Sequence, residues 1–104
     1  MYSRLKLIND PYPKFIKEFV NYCGYEFNEE FKKRRFIELV ALRTVIMQYL
    51  RSQGLALAKI GYYFNCKHPV VIHNVKKESK YDVNMLKYEN KLKDFLEVKN
   101  GWIS

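Results

Sequence analysis

The sequence predicts an all-α fold, a small helical domain organised around a central helix-turn-helix. Three observations predict it. Apolar residues recur at three- and four-residue steps in successive segments, the period of a helix face. Prolines, glycines and capping residues punctuate those segments where helices start and stop. Leu57 to Lys77, LAKIGYYFNCKHPVVIHNVKK, reads as two short helices joined by a three-residue turn. With 104 residues the chain can build one domain with a real core but not two. A single domain over 1–104 is therefore expected, without internal repeats, low-complexity tracts or linkers.

Asp10 to Cys23 reads as the first helix, with Pro13 near its start and Phe15, Ile16, Phe19, Val20 and Cys23 on one face. Gly24 closes it, where a left-handed residue is needed. After a connector at Tyr25 to Phe27, Asn28 is placed to cap a helix whose first turn holds Glu29 and Glu30, the charge that the helix dipole favours there. From Glu29 to about Gln53 the pattern fits either one long helix or two helices bent near Arg34 to Ile37. Its buried stripe is expected to be Phe31, Ile37, Val40, Ala41, Val45, Met47 and Leu50, and Gly54 ends it.

The next two helices form the central unit. Leu57, Ile60, Gly61 and Phe64 share one face, and Asn65 tolerates the left-handed conformation that ends a helix. Pro69 suits the first turn of the second helix, which is expected to reach Glu78. Val71, Ile72 and Val75 would then face inward, leaving His68, Val70, Asn74 and Lys77 outward. Asp82 caps a last helix through Val98, buried along Met85, Tyr88, Leu92 and Phe95 and stopped by Asn100 and Gly101. Trp102 and Ile103 either fold back onto the core or extend from it; the pattern leaves both open.

Composition narrows the function. A hydrophobic fraction of 48% with 16% aromatics excludes a disordered tail. The net charge of +8 and pI of about 9.5 point to a polyanionic partner, nucleic acid before an anionic membrane surface. The charge is unevenly placed. Lys32, Lys33, Arg34 and Arg35 are consecutive, Arg43, Arg51, Lys59, Lys67, Lys76 and Lys77 follow, and Glu38 is the only acid between Lys32 and Lys77.

Other classes find little footing. No apolar run is long enough to span a membrane, and the first residues, MYSRLKLINDPYPKF, lack the pattern of a secretory signal. Cys23 and Cys66 are too few for a disulfide framework and read as reduced thiols, and with His68 and His73 they make no familiar zinc spacing, so no metal or other cofactor is expected. No phosphate loop, nucleophile elbow or HExxH pair is present, so no enzyme and no small-molecule substrate are expected. Glu29, Glu30 and Asp94 fall where helices show acids to solvent.

The run YCGYEFNEEFKKRRFIELVALR from Tyr22 to Arg43, continued by TVIMQYLRSQGLALAKIGYYF and KHPVVIHNVKK, resembles the C-terminal DNA-binding domain of the bacterial replication initiator DnaA, a fold akin to that of the Trp repressor. Tyr22, Arg35, Val40 and Arg43 match without a gap. Leu57, Ile60, Gly61 and Phe64 match its IGxxF segment, and His68, Val71 and His73 its DHTTVxH signature, after single-residue deletions near Gly54 and Cys66. Tyr88, Leu92 and Leu96 fit its final helix, so that the resemblance extends over residues 12–98.

The resemblance implies roles. It assigns Arg35 to the minor groove, where A·T-rich stretches concentrate negative potential, Arg43 and Thr44 to an approach near a helix start, Arg51 to a phosphate, and His68 to base edges in the major groove. Departures alter the rest. Lys67 stands for the signature acid, favouring phosphate or guanine, while Pro69 and Val70 replace two threonines and leave only apolar contact, for instance with a thymine methyl. A target different from or looser than the family's site is expected.

The initiator's upstream ATPase module has no counterpart here, which implies a DNA-binding domain that does not hydrolyse ATP and suits a phage or mobile-element origin. The expected function is sequence-preferring binding of double-stranded DNA in replication initiation or its regulation, by a cytoplasmic, nucleoid-associated monomer or weak dimer. The alternative is a module that binds a replication or transcription factor, with Tyr62, Tyr63, Tyr81 and Trp102 as aromatic anchors.

Overall fold

Six helices and no strand are found among the described residues, which are 10–80 and 82–103 of the computed structural model, with side chains described through residue 99. They are α1 (Tyr12–Tyr22), α2 (Glu29–Lys33), α3 (Ile37–Ser52), α4 (Leu57–Phe64), α5 (His68–Lys76) and α6 (Val83–Ile103). None is long and apolar enough to cross a membrane.

The axis of the fold is α3. Seven consecutive residues, from Ala41 to Met47, are buried, so the helix is surrounded instead of presenting one stripe. This corrects the expected stripe. Ile37, the first residue of α3, is 70% exposed and Val40 half-buried, while Leu39, Leu42 and Ile46 join the core. Around this axis pack α4, α5 and α6, and α1 lies against α6. Phe15, Phe19 and Tyr22 on α1 meet the Phe95 ring at centroid distances of 5.8, 5.4 and 5.3 Å.

Local chemistry sets the boundaries. Asn28 caps α2 by accepting from the Phe31 amide at 2.8 Å, and Asp82 caps α6 by accepting from the Met85 amide at 3.1 Å. Gly24 takes φ +93° after α1, which returns the Tyr25 amide to the Val20 carbonyl. The stretch from Glu29 to Gln53 is two helices, separated by extended residues at 34–36. Two boundaries differ from expectation. The α5 helix ends at Lys76, and α6 runs through Asn100 and Gly101 to Ile103. A glycine in a helix costs only about 1 kcal/mol, too little to stop a helix by itself. The packing of Trp102 and Ile103 lies outside the described side chains.

One ion-paired contact fixes the start of α1 to α4. The Asp10 side chain, only 4% exposed, accepts from the Tyr12 amide at 3.1 Å and from the Tyr63 hydroxyl, and Lys59 Nζ lies 3.4 Å away. Burial pushes this carboxyl up, but the hydroxyl, the amide and the ammonium together pull it further down, so it titrates below its ordinary value. An unfolded aspartate titrates near 3.9. The contact therefore contributes fully above that pH and is lost as the pH falls through the lower folded value. Urea melts of the wild type from pH 6 down to 2 should lose stability in that window, and Asp10→Asn should flatten the dependence.

Candidate nucleic-acid interface

The α4–turn–α5 unit is built from a close approach that only glycine permits. Ile60, Gly61, Tyr63 and Phe64 are buried, Leu57 is half-buried, and Asn65 ends α4 at φ +54°, ψ +45°. The chain then turns back so tightly that a Cβ on Gly61 would stand 2.6 Å from the Cys66 carbonyl oxygen and 3.3 Å from Val71 Cγ2. The Cys66 amide donates to the Gly61 carbonyl at 2.8 Å, closing the turn. Lys67, extended at φ −78°, ψ 157°, leads into α5, where Pro69 sits in the first turn.

At its other end α5 is held by Gln48. The amide Nε2 of this α3 residue donates to the carbonyls of Asn74 at 3.0 Å and Lys77 at 2.6 Å, satisfying groups that a helix end leaves unpaired. Val71 is fully buried, and Ile72 and Val75 are half-buried. Lys67, His68, Pro69, Val70, His73, Lys76 and Lys77 are all exposed. Lys77 Nζ lies 3.8 Å from Asp82, whereas the side chains of Lys67 and His68 have no hydrogen bond or ion pair among the described residues.

His68, Val70 and Lys77 face outward as expected, and Asn74 is the exception. Asn74 turns inward, half-buried, with its Nδ2 3.4 Å from Met47 Sδ, while His73 and Lys76 come to the outside. Spacing from Pro69 would have found them, since positions 69, 73 and 76 share one helical face. Gln48 was also missed; its signal is an amide in an otherwise apolar helix.

Two further expectations are corrected on α3. Arg43 is 9% exposed and Thr44 fully buried. The Thr44 hydroxyl donates to the Val40 carbonyl at 2.8 Å. The Arg43 guanidinium donates to the carbonyls of Phe31 and Arg34, each at 2.6 Å, and its centre lies 5.9 Å from the Phe31 ring centroid. Neither side chain is presented to a ligand. Arg51 is exposed, but its Nη1 donates to the Leu55 carbonyl at 2.8 Å and braces the turn after α3.

Burial lowers the pKa of Arg43. Its bond to the Arg34 carbonyl holds the loop that carries Arg35 against α3, the helix on which α5 also packs. Phe27, just before α2, packs edge-on against Phe64 at 5.7 Å, and Lys32 and Lys67 line one groove of about 890 Å³. Arg35 itself is exposed, with no hydrogen bond or ion pair among the described residues. Of the aromatic anchors, Tyr62 is 73% exposed and Tyr63 is core; Tyr81 and Trp102 lie outside the described side chains.

Burial quiets both thiols. Cys23 is pushed up to about 11, and burial raises Cys66 as well, against the opposing effect of the nearby Arg43. Among the described residues no cluster of His, Cys, Asp and Glu is arranged to hold a metal ion. No protein-family model, curated protein or solved structure matches the chain.

Gly61→Ala should destabilise the fold by about 1–3 kcal/mol, because the new methyl meets backbone and not a flexible side chain. Arg43→Met, which strands two carbonyls, should cost about 2–4 kcal/mol. Urea denaturation measures both, and wild-type midpoints would contradict the packing described.

Proposed function

We propose that the chain binds double-stranded DNA, with the outward side of α5 in the major groove and the Arg35 loop reaching the adjacent minor groove. One observation carries this reading. The start and outward face of α5 are exposed and cationic, and the exposed Arg35 follows Arg34, whose carbonyl is held by Arg43 of α3, the helix on which α5 packs. A single helix of this kind fits the major groove, the groove that distinguishes all four base pairs.

The roles divide by chemistry. Arg35, Lys67, Lys76 and Lys77 neutralise phosphates or the negative potential of a narrow groove, releasing counterions without reading sequence. His68 and His73 offer ring nitrogens to base edges, and Val70 and Pro69 offer apolar contact to thymine methyls. Kinship with the DnaA C-terminal domain, and a place in replication initiation or its regulation, belong to the same proposal, supported by the matched spacing of residues 12–98. Tyr62 favours a second reading, docking to a protein partner through an exposed ring on α4. Tyr62→Ala separates the two, since it should leave duplex binding unchanged.

Selection of bound duplexes from a randomised pool tests the proposal directly. An enriched motif is expected, and a pool that stays random would end the claim of sequence preference. With about five phosphates neutralised, log K should fall against log salt with a slope of roughly −4 to −5. Arg35→Ala should weaken binding most on A·T-rich duplexes, Lys76→Ala similarly on all, and His68→Ala should change the selected motif more than the overall affinity. Equal losses on every duplex for Arg35→Ala and Lys76→Ala would remove the minor-groove role.

A further inference from the structure

At the junction of α2 and α3, two apolar side chains stand in solvent. Phe36 is 60% exposed and Ile37 70%. Lys33, Arg34 and Arg35, immediately before them, are exposed as well. Arg34 pairs with Glu30, and its guanidinium centre lies 5.1 Å from the Phe36 ring centroid. Apolar groups fringed by cations suit a partner that is anionic outside and apolar within, and stacked base pairs behind a phosphate backbone have that character.

The presentation is rigid. Arg43 holds the Phe31 and Arg34 carbonyls, and the Phe36 carbonyl accepts from the Val40 amide at 2.9 Å, opening α3. Phe36 is thus fixed in the backbone next to Arg35, while its ring stays exposed beside the Arg34 guanidinium. Apolar side chains offered to the minor groove in this way partly unstack a base step and kink the duplex. Pyrimidine–purine steps yield most easily.

We propose that Phe36, supported by Ile37, is a wedge that enters one base step beside Arg35 and bends the DNA. The proposal rests on the duplex-binding reading above and adds a residue and a deformation to it. Because the ring is exposed and uncharged, removing it should spare both the fold and the salt dependence.

The probe is an A·T-rich duplex of about 20 base pairs with one central TpA step, carrying 2-aminopurine at that step and a donor–acceptor dye pair at its ends. On binding the full-length wild type, 2-aminopurine fluorescence should rise as the step unstacks, and energy transfer should rise as the ends approach. Phe36→Ser should lose both signals and bind about tenfold more weakly, with an unchanged salt slope and an unchanged circular dichroism spectrum. Phe36→Leu should keep most of both signals. A wild-type complex lacking both signals, or a Phe36→Ser complex retaining them, overturns the wedge while leaving DNA binding intact. If no duplex is bound even at low salt, the DNA reading itself fails and takes the wedge with it.

Discussion

A buried guanidinium without a carboxylate partner among the described residues organises this chain. Arg43 is surrounded by core and satisfied by two carbonyls, those of Phe31 and Arg34. In a continuous helix these carbonyls would accept from the amides of residues 35 and 38. Here the helix stops at Lys33 and restarts at Ile37, and Arg43 donates to the carbonyls of Phe31 and Arg34 at the break. The break is the loop that exposes Arg35 and Phe36. Desolvating a cation is expensive, and two charge-assisted bonds together with the Phe31 ring face offset that cost. The conformation of the most exposed basic segment is therefore set from inside the core.

The remaining polar residues near the centre of α3 follow the same logic. Gln48 reaches out of the apolar helix to the last carbonyls of α5, as Arg43 does to the loop. Neither side chain stands free in solvent. Each converts the rigidity of a buried helix into the placement of an exposed element. Gly61 makes the complementary contribution by omission, letting the turn approach α4 closely enough for Val71 to fill the space beside it.

Much of this was legible in the sequence, for identifiable reasons. The Asn28 and Asp82 caps, the left-handed Asn65 and the buried Ile60, Gly61 and Phe64 depend on local backbone chemistry or on one helical period, which a linear pattern records. The departures have different causes. The resemblance assigns Arg43 and Thr44 to DNA, although both stand within a run from Ala41 to Met47 that is otherwise apolar, and helical spacing alone leaves Asn74 outward. Charge in such a run implies an internal partner. The partners, carbonyls nine and twelve residues upstream, are tertiary facts that no spacing rule contains. On α5, Ile72, Asn74 and Val75 are all half-buried, which leaves Val71 as the sole fully buried residue of that helix.

On the proposed reading, the way α3 holds the loop and α5 bears on how a duplex is engaged. The loop and α5 are both fastened to α3, at positions five residues apart, about 7.5 Å along its axis. Changing their separation would break polar contacts to α3, among them the buried bond from Arg43 to the Phe31 carbonyl. Where protein and duplex do not match, the softer partner deforms. A flexible pyrimidine–purine step bends at a cost of a few kcal/mol, comparable to the loss of a single charge-assisted hydrogen bond inside the protein. On the proposed reading, sequence preference then has two sources: base edges met by α5, and the ease with which the step facing Phe36 opens. The second survives the replacement of polar side chains by Pro69 and Val70, because it depends on where the core holds the loop and not on which donors α5 presents.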